Sequence, residues 1–304
     1  MSLTSAIIID TLDFKVDVGQ LLYNELWNTL PAWKGNADLI NWSGKIKVQK
    51  KQYQYLLHYF ASKKQATPSA IITVGSMDGK HRYFKLSLYP QKFTQSQFEE
   101  FQHRLAASLP GFEYQKLFQT ADVTRIDLAH DSYSHVVDEL IPWSLRTRCS
   151  GVWLDKKLFT KGALYIGSHN SRLRFRVYNK KKQMQEVEGF KVEWGIWTRI
   201  EAVVRKPGCK AAQLADTLDS PFKRLNMASS GDALGQADDD AWKGFVALCS
   251  AVGSPEAFNQ PFNKSKRKLY RQRLAKSAVS WWTPSNFQNQ LKAAMSQLAP
   301  MTPC

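Results

Sequence analysis

Four short segments alternate polar and apolar residues, and this period of two limits what the chain can fold into. They read RYFKLSLY at 82–89, VTRIDLAHD at 123–131, SRLRFRVYN at 171–179 and WTRIEAVVR at 197–205. Successive side chains of an extended strand point to opposite faces of a sheet, so these segments predict strands at 81–89, 123–130, 172–178 and 197–205, each with one apolar face. Further strands are predicted at 7–16, 53–60, 70–74 and 163–167, the last forming a hairpin with 172–178 around the polar turn SHNS.

Helical patterns separate these strands. Thr94 is a favourable N-cap, and Phe98, Phe101 and Leu105 then recur on one helix face. The pattern also predicts a helix at 134–145, a loop at 229–240 and helices at 242–251 and 287–298. We therefore expect an α+β fold of antiparallel sheets with helices packed on one face, with two similar halves as an option. The predicted divisions are an N-terminal α+β half at 1–120, a catalytic α+β half at 121–228 and a helical basic C-terminal region at 229–304.

The charge of the chain indicates a polyanionic partner. Lys and Arg number 42 against 26 Asp and Glu, a formal charge of +16, and 12% of the residues are aromatic. Cations pair with phosphates and rings stack on bases, so this composition favours nucleic acid over a membrane surface. No apolar run approaches the length of about 20 residues that spans a bilayer, and no secretory signal is recognisable, so we expect a cytoplasmic protein. The four cysteines form no CxxC pair, which favours reduced thiols over a zinc ribbon or disulfide framework.

Two of the strands place acids on their polar faces. Arg125, Asp127 and Asp131 share one face of the first, and Arg199 and Glu201 share one face of the second. Asp is a poor strand former, so a bound divalent cation such as Mg²⁺ or Mn²⁺ would explain its place inside a strand. The alternative for the first strand is a solvated face on which Arg125 pairs with Asp127, and for the two strands together it is a ladder of salt bridges between them. The residues alone leave both interpretations open.

The hairpin strand carries a row of arginines that ends in a tyrosine. Arg172, Arg174 and Arg176 alternate with apolar residues and lead to Tyr178 on the same face, and Lys180 and Lys181 follow. Adjacent guanidinium groups repel one another, so phosphates along this strand would stabilise the row. A phenol beside such charges should ionise more readily and could attack phosphorus. The alternative is an ordinary packing tyrosine.

Together, TRIDLAHD, ALYIGSHNSRLRFRVYNKKKQ and WTRIEAVVR resemble the replication initiation factor family, the rolling-circle initiators of staphylococcal-type plasmids, with relatives in filamentous phages and among relaxases. The resemblance covers 123–205. It implies a site-specific nickase and strand transferase in which Tyr178 attacks a DNA phosphodiester and becomes joined to the 5′ phosphate. It further implies that Asp127 and Glu201 hold a divalent metal, Mg²⁺ or Mn²⁺, and that Asp131 is a second acid of that site. The turn GSHNS departs from the family pattern at His169, and so does the strand at His130.

The implied partners are single- and double-stranded DNA at a replication origin, a host helicase and a polymerase, with no membrane and with a homodimer left open. The basic stretch KSKRKLYRQRLAK at 264–276 is expected to add DNA affinity rather than chemistry. The DNA-binding candidates are Arg125, Arg172, Arg174, Arg176, Lys180, Lys181, Arg199, Lys266, Arg267, Lys268 and Arg271. The alternative functions are a non-enzymatic phage or plasmid DNA-binding regulator and a metal-dependent nuclease that uses water.

Overall fold

The chain adopts the predicted α+β fold and divides into two compact units, each assembled from separate segments. A computed structural model describes residues 6–29, 42–49, 52–62, 65–75, 82–109, 111–144, 149–155, 160–187, 189, 191, 193, 195–279 and 286–300. The N-terminal unit comprises Ile8–Asp127, Arg205–Leu218 and Gln288–Cys304, and the central unit comprises Met1–Ile7, Leu128–Val204 and Asp219–Phe287. The predicted divisions at 1–120, 121–228 and 229–304 stay a prediction.

The N-terminal unit is an antiparallel sheet covered by helices. Its strands run in the order β2-β3-β4-β5-β1. Their bounds are β1 Ile8–Asp17, β2 Trp42–Gln49, β3 Gln52–Tyr59, β4 Ala70–Val74 and β5 Tyr83–Leu88. The helices of this unit are α1 Gln20–Thr29, α2 Gln95–Ser108, α3 Tyr114–Thr120 and α5 Leu214–Thr217, and α10 Phe287–Ser296 lies almost entirely within it.

Aromatic residues join α2 and α3 to this sheet. Thr94 is the N-cap of α2, as predicted. Gln97 completes a reciprocal capping box with it. Phe101 of α2 packs against Tyr59 of β3 with ring centroids 5.1 Å apart. Tyr114 of α3 lies edge-on to Phe14 of β1 at 6.2 Å. The apolar faces that the periodicity predicted are thus buried against each other.

The central unit has an antiparallel sheet and a helical layer with its own core. Strand β6 Asp122–Ser132 begins in the N-terminal unit and ends in the central one. The central strands follow in the order β6-β11-β10-β9-β8, and a separate pair joins β12 to β7. The bounds are β7 Leu140–Trp143, β8 Ser150–Asp155, β9 Thr160–Ile166, β10 Leu173–Asn179, α4 Lys180–Val187, β11 Thr198–Arg205, β12 Asn226–Ser229, α6 Ser230–Leu234, α7 Asp240–Val252, α8 Ser254–Phe258 and α9 Lys264–Lys276.

A buried aromatic cluster holds the C-terminal helices to the β7-β12 pair. Trp242 and Phe245 of α7 and Tyr270 of α9 form its centre, and Trp143 of β7 lies in the same cluster. The ring of Trp242 lies 5.1 Å from that of Tyr270, and its indole nitrogen donates to the Ala233 carbonyl at 2.7 Å. The helical C-terminal region that the sequence predicted is therefore part of a packed unit.

Two local predictions are wrong. The predicted helix at 134–145 is a 3-10 turn at 137–139 followed by strand β7, which pairs with β12 through Pro142 and Met227. Proline cannot donate in a helix interior, and its partner strand lies far away in the sequence. The predicted loop at 229–240 contains α6, whose N-cap Ser229 accepts a hydrogen bond from the Asp232 backbone. Two ends of predicted elements, His81 and Leu145, lie outside the described residues.

Both units contain the same local arrangement of a hairpin and a third strand. In each, an acid on the third strand lies directly opposite a hairpin residue that precedes a tyrosine by two positions. The matching sets are Asp13, Ser87 and Tyr89 in the N-terminal unit and Glu201, Arg176 and Tyr178 in the central unit. The two units therefore share this local register, and the option of two similar halves stays a prediction.

Across the part of the chain that the structure describes, no helix is long and apolar enough to cross a bilayer. Three of the cysteines, Cys149, Cys209 and Cys249, are free thiols. The fourth, Cys304, lies outside the described residues.

Candidate active site

Tyr178 is the next-to-last residue of β10, which lies between β9 and β11 in the sheet of the central unit. Its hydroxyl donates a hydrogen bond to Oε2 of Glu201 on β11, over 3.3 Å. Glu201 is fully buried and stands opposite Arg176, whose guanidinium forms an ion pair with it. The same guanidinium lies 5.7 Å from the centroid of the Tyr178 ring. One acid, one arginine and one phenol therefore share a single patch of the sheet, and the alternation predicted the common face of Arg176 and Tyr178.

A second acid, Asp131 of β6, forms an ion pair with Arg199, which lies two residues before Glu201 on β11. Arg199 lies opposite Tyr178 in the strand register. It donates to both carboxylate oxygens of Asp131, at 2.7 and 2.8 Å, and both side chains are 3% exposed. Arg199 was predicted to contact DNA, but in this position its donors serve Asp131. Burial, and next the negative charge of Asp131, raise the pKa of nearby Tyr133.

The third predicted acid, Asp127, lies where β6 leaves the N-terminal unit. It is fully buried, and Arg125 binds both its carboxylate oxygens. The sequence pattern allowed this pair, but on a solvated face, whereas Asp127 has no exposed surface. Its placement in a strand is therefore balanced by an ion pair with Arg125, whose own side chain is 34% exposed.

Arg125 also borders a polar groove that the sequence analysis missed. The groove, about 510 Å³ in volume, lies on the sheet of the N-terminal unit. Asp13 and Lys85 form an ion pair of 2.7 Å inside it, and Tyr89 lines its wall. Burial and the charge of Asp13 raise the pKa of Tyr89. The alternation of IIIDTLDFK carries the signal for Asp13, since it is the same period of two that marked the other acids.

The carboxylates suit a hard cation by chemistry, because oxygen donors are what Mg²⁺ and Mn²⁺ prefer. In the structure each is engaged by an arginine, and Glu201 also accepts from Tyr178. Within the described ranges no group of three or more His, Cys, Asp or Glu side chains is arranged to hold a metal ion. A metal at Glu201 would need Arg176, whose side chain is 30% exposed, to leave that carboxylate. The metal site stays a prediction.

The remaining hairpin arginines lie toward the turn. Arg172 is exposed, and Arg174 stacks over the Tyr165 ring at 4.4 Å. Nη1 of Arg174 lies 3.2 Å from Nδ1 of His169, the residue that departs from the family pattern. Gly167 begins the turn with φ +98°, and a Cβ there would stand 3.0 Å from the Leu173 carbonyl oxygen. The turn therefore needs glycine to bring His169 to the arginine row.

The lysines after Tyr178 are less available than predicted. Lys180 is buried, and its Nζ donates to Gln183 at 2.7 Å. Nζ of Lys181 lies 3.5 Å from the Gly195 carbonyl. Both belong to the first turn of α4, which begins two residues after the phenol. The backbone N–H groups at the start of this turn already have acceptors, the Trp197 carbonyl for Lys180 and Lys181 and the Asn179 side chain for Lys182.

Helix α9 divides its cations between two sides. Lys266 packs its ammonium against Phe262 and Tyr270, 5.4 and 5.6 Å from the ring centroids, and Arg271 lies 5.2 Å from the centroid of Phe258. Arg267 donates to the Gln260 carbonyl at 3.3 Å. The exposed cations of this helix are Lys264, Lys268 and Lys276. Of the four residues predicted to bind DNA here, only Lys268 thus lies on the exposed side.

Comparison with known protein families gives a match for the segment around Tyr178. The sequence model of the replication initiation factor family matches residues 143–223, which include Tyr178, Arg199 and Glu201 but not Asp127 or Asp131. Over this segment the predicted resemblance is confirmed, and it supports a role in replication initiation. Among solved structures, the chain is similar to a rolling circle replication initiator protein from Geobacillus stearothermophilus. That similarity has 13% identity and a TM-score of 0.43, over 82% of this chain and 98% of the other. No curated protein matches the sequence.

Proposed function

Because residues 143–223 match the replication initiation factor family, we propose that the chain initiates rolling-circle replication by nicking one strand of an origin through Tyr178. The observation that carries this proposal is the contact between the Tyr178 hydroxyl and buried Glu201, beside Arg176. A half-exposed phenol held by a carboxylate and bordered by guanidinium groups is suited to attack a phosphodiester.

The proposed reaction is a transesterification. Tyr178 Oη forms a bond to phosphorus while the bond from phosphorus to the 3′ oxygen breaks. The phenol proton leaves, and the 3′ oxygen takes up a proton to become a hydroxyl, so the protein ends joined to the 5′ phosphate. The hydrogen bond to Glu201 orients the hydroxyl, and Arg176 offers positive charge to the phosphate oxygens. The reverse reaction with a new 3′ hydroxyl completes strand transfer without a nucleotide cofactor.

We keep Mg²⁺ or Mn²⁺ as the proposed cofactor, with Glu201 and Asp131 as the residues that would hold it. Such an ion, when bound, supplies charge that stabilises the transferring phosphate. The family resemblance implies that Asp127 also holds the metal, and this role stays a prediction. A host helicase and a polymerase are the proposed partners, since a nicked strand must be unwound and its 3′ hydroxyl extended.

The test is the covalent adduct. The protein is incubated with labelled single-stranded origin DNA, with Mn²⁺ or with a chelator, and the products are separated on a denaturing gel. We expect labelled DNA to migrate with the protein only when the metal is present. Cleavage without an adduct would instead indicate a hydrolytic nuclease, and binding without cleavage would indicate a regulator.

A further inference from the structure

Two aromatic rings lie just beyond the ends of strands in the unit that carries Tyr178, since Tyr133 follows the last residue of β6 and Trp197 precedes the first residue of β11. Tyr133 follows Asp131 by two residues, and Trp197 precedes Arg199 by two. Their ring centroids lie 6.2 Å apart, with the planes inclined by 31°. Tyr133 is 39% exposed and Trp197 is half-buried. A partly exposed aromatic pair therefore borders the ion pair that stands beside the candidate nucleophile.

Hydrogen bonds fix this pair relative to Tyr178. The Trp197 carbonyl accepts from the backbone N–H of Lys180, at 2.9 Å, two residues after Tyr178. Thr198 donates its hydroxyl to the His135 carbonyl at 2.7 Å, which ties the segment after β6 to the start of β11. Arg199, which lies opposite Tyr178 in the strand register, comes two residues after Trp197, and its partner Asp131 comes two residues before Tyr133.

We propose that Tyr133 and Trp197 form a stacking platform for an unpaired base next to the phosphate that Tyr178 attacks. The proposal rests on the proposed function and adds a binding site for the base to it. A ring can stack on any base, and the charge of +16 favours a nucleic-acid strand over other occupants. One aromatic pair is too small for a stable protein interface, which buries about 800 Å² on each partner.

Binding to a short oligothymidylate, measured by fluorescence anisotropy in the uncleaving Tyr178→Phe background, tests the platform. Adding Tyr133→Ala should weaken binding by roughly tenfold, the effect of losing one stacked base. Adding Tyr133→Phe, which keeps the ring, should leave the affinity near that of the background. Leu234→Ala, an equally exposed apolar residue in the same unit, is the matched control and should change nothing. A duplex of the same length should bind all these proteins alike, because paired bases cannot stack on the rings.

A second measurement needs no change at Tyr133. A fluorescent adenine analogue whose emission falls on stacking is placed at successive positions of the strand, and we expect quenching at one position beside the cleaved phosphate. Equal oligothymidylate affinity for Tyr133→Ala and its background, equal losses for Ala and Phe, or a parallel loss on duplex would each overturn the platform. The adduct assay reports separately on the proposed function. Protein with Tyr178 intact that stacks the analogue but forms no adduct would overturn nicking and keep the platform.

Discussion

At the scale of single residues, the site is a set of opposite charges held inside a sheet. Asp131 and Glu201 have almost no exposed surface, and each is bound by one arginine, Arg199 and Arg176 respectively. A buried carboxylate without a partner is strongly destabilising, so these arginines are needed for the fold as well as for charge near the site. The Tyr178 hydroxyl contacts Glu201 while Arg176 lies over its ring, so removing the hydroxyl alone separates the chemistry of this residue from its packing.

Replacing Tyr178 by Phe should abolish the covalent adduct and leave DNA binding within a few fold, since only the attacking oxygen is removed. A denaturing gel measures the adduct, and anisotropy measures binding. Tyr165→Phe, on the neighbouring strand, keeps its ring beneath Arg174 and should still form the adduct. An adduct that survives Tyr178→Phe and disappears with Tyr165→Phe would move the nucleophile to Tyr165.

Replacing Arg199 by Ala should lower the free energy of unfolding by about 3–5 kcal/mol, the cost of leaving a buried partner charge without its arginine. Urea unfolding followed by circular dichroism measures it. The control is Arg104→Ala, which removes an exposed pair with Glu100 on α2 and should cost about 0.5 kcal/mol or less. Similar losses for both variants would mean that the Asp131 pair contributes no more than a surface pair.

At the scale of elements, helix α9 serves two tasks with two sides. The side with Tyr270 and Leu274 completes the aromatic core, and the charged groups of Lys266 and Arg271 lie over aromatic rings of that region. The other side is basic and exposed, and Leu269 lies on it with 43% of its surface exposed. Cations that follow one another along the sequence are thus divided on the helix. One set packs against aromatic rings, and the other set faces solvent.

Changing Lys264, Lys268 and Lys276 together to Gln should weaken duplex binding and flatten its dependence on salt, by about 0.9 in the logarithmic slope for each phosphate that is no longer neutralised. Stability and cleavage of a saturating single-stranded oligonucleotide should stay unchanged, because these side chains lie outside the core. Lys266→Gln with Arg271→Gln is the comparison, and it should lower the unfolding temperature instead. An unaltered salt slope in the triple variant would show that this side of α9 does not contact DNA.

Helix α7 begins at a charged cap whose effect depends on pH. The Asp239 side chain accepts from the Trp242 backbone and from Nη1 of Arg273 at 2.7 Å. The Arg273 hydrogen bond, followed by that of the Trp242 backbone, lowers the pKa of Asp239 below its ordinary value of 3.8. A lowered pKa stabilises the fold above the unfolded value, and this contribution disappears as the pH falls through the lower folded value.

Asp239→Asn keeps a good cap but removes the charge, so it should lower the unfolding temperature near neutral pH. The difference from the parent protein should shrink as the pH falls below about 3.8 and through the folded pKa. Thermal unfolding across that range measures it. A difference that stays constant with pH would assign the whole effect to the cap rather than to the Arg273 pair.

At the scale of the whole molecule, each unit depends on segments that are distant in sequence. The Tyr114 hydroxyl donates to the Leu298 carbonyl at 2.8 Å, a buried contact across 184 residues. Leu291 and Met295 of α10 are also buried, and Gln288 donates to the Leu218 carbonyl at 3.1 Å. The N-terminal unit is therefore completed by the end of the chain.

Ending the chain after Asn286 should destabilise the N-terminal unit, since each fully buried apolar side chain that is removed contributes about 1.5–3 kcal/mol. Hydrogen exchange should show faster exchange of β1 and α3 amides. Tyr114→Phe, which removes only the one hydrogen bond, should cost about 1 kcal/mol. Unchanged protection of β1 and α3 in the shortened chain would show that this unit is stable without α10.

The sequence by itself determined the local geometry of the site. A period of two assigned Arg176 and Tyr178 to one face of β10, and Asp127 and Asp131 to one face of β6, because backbone geometry alone fixes side-chain alternation. The cap of α2 at Thr94 is equally local, since its partners lie within three residues.

Only the tertiary structure determined which residues the polar faces of β6 and β10 contact. The pairing of Asp131 with Arg199 crosses 68 residues, and its burial follows from packing rather than from the alternation. The strand at Leu140–Trp143 exists because β12 pairs with it, which overrides a helical local pattern. The Tyr133–Trp197 pair and the division of α9 into two sides likewise depend on segments that meet only in the folded chain, because register and burial are set by distant partners.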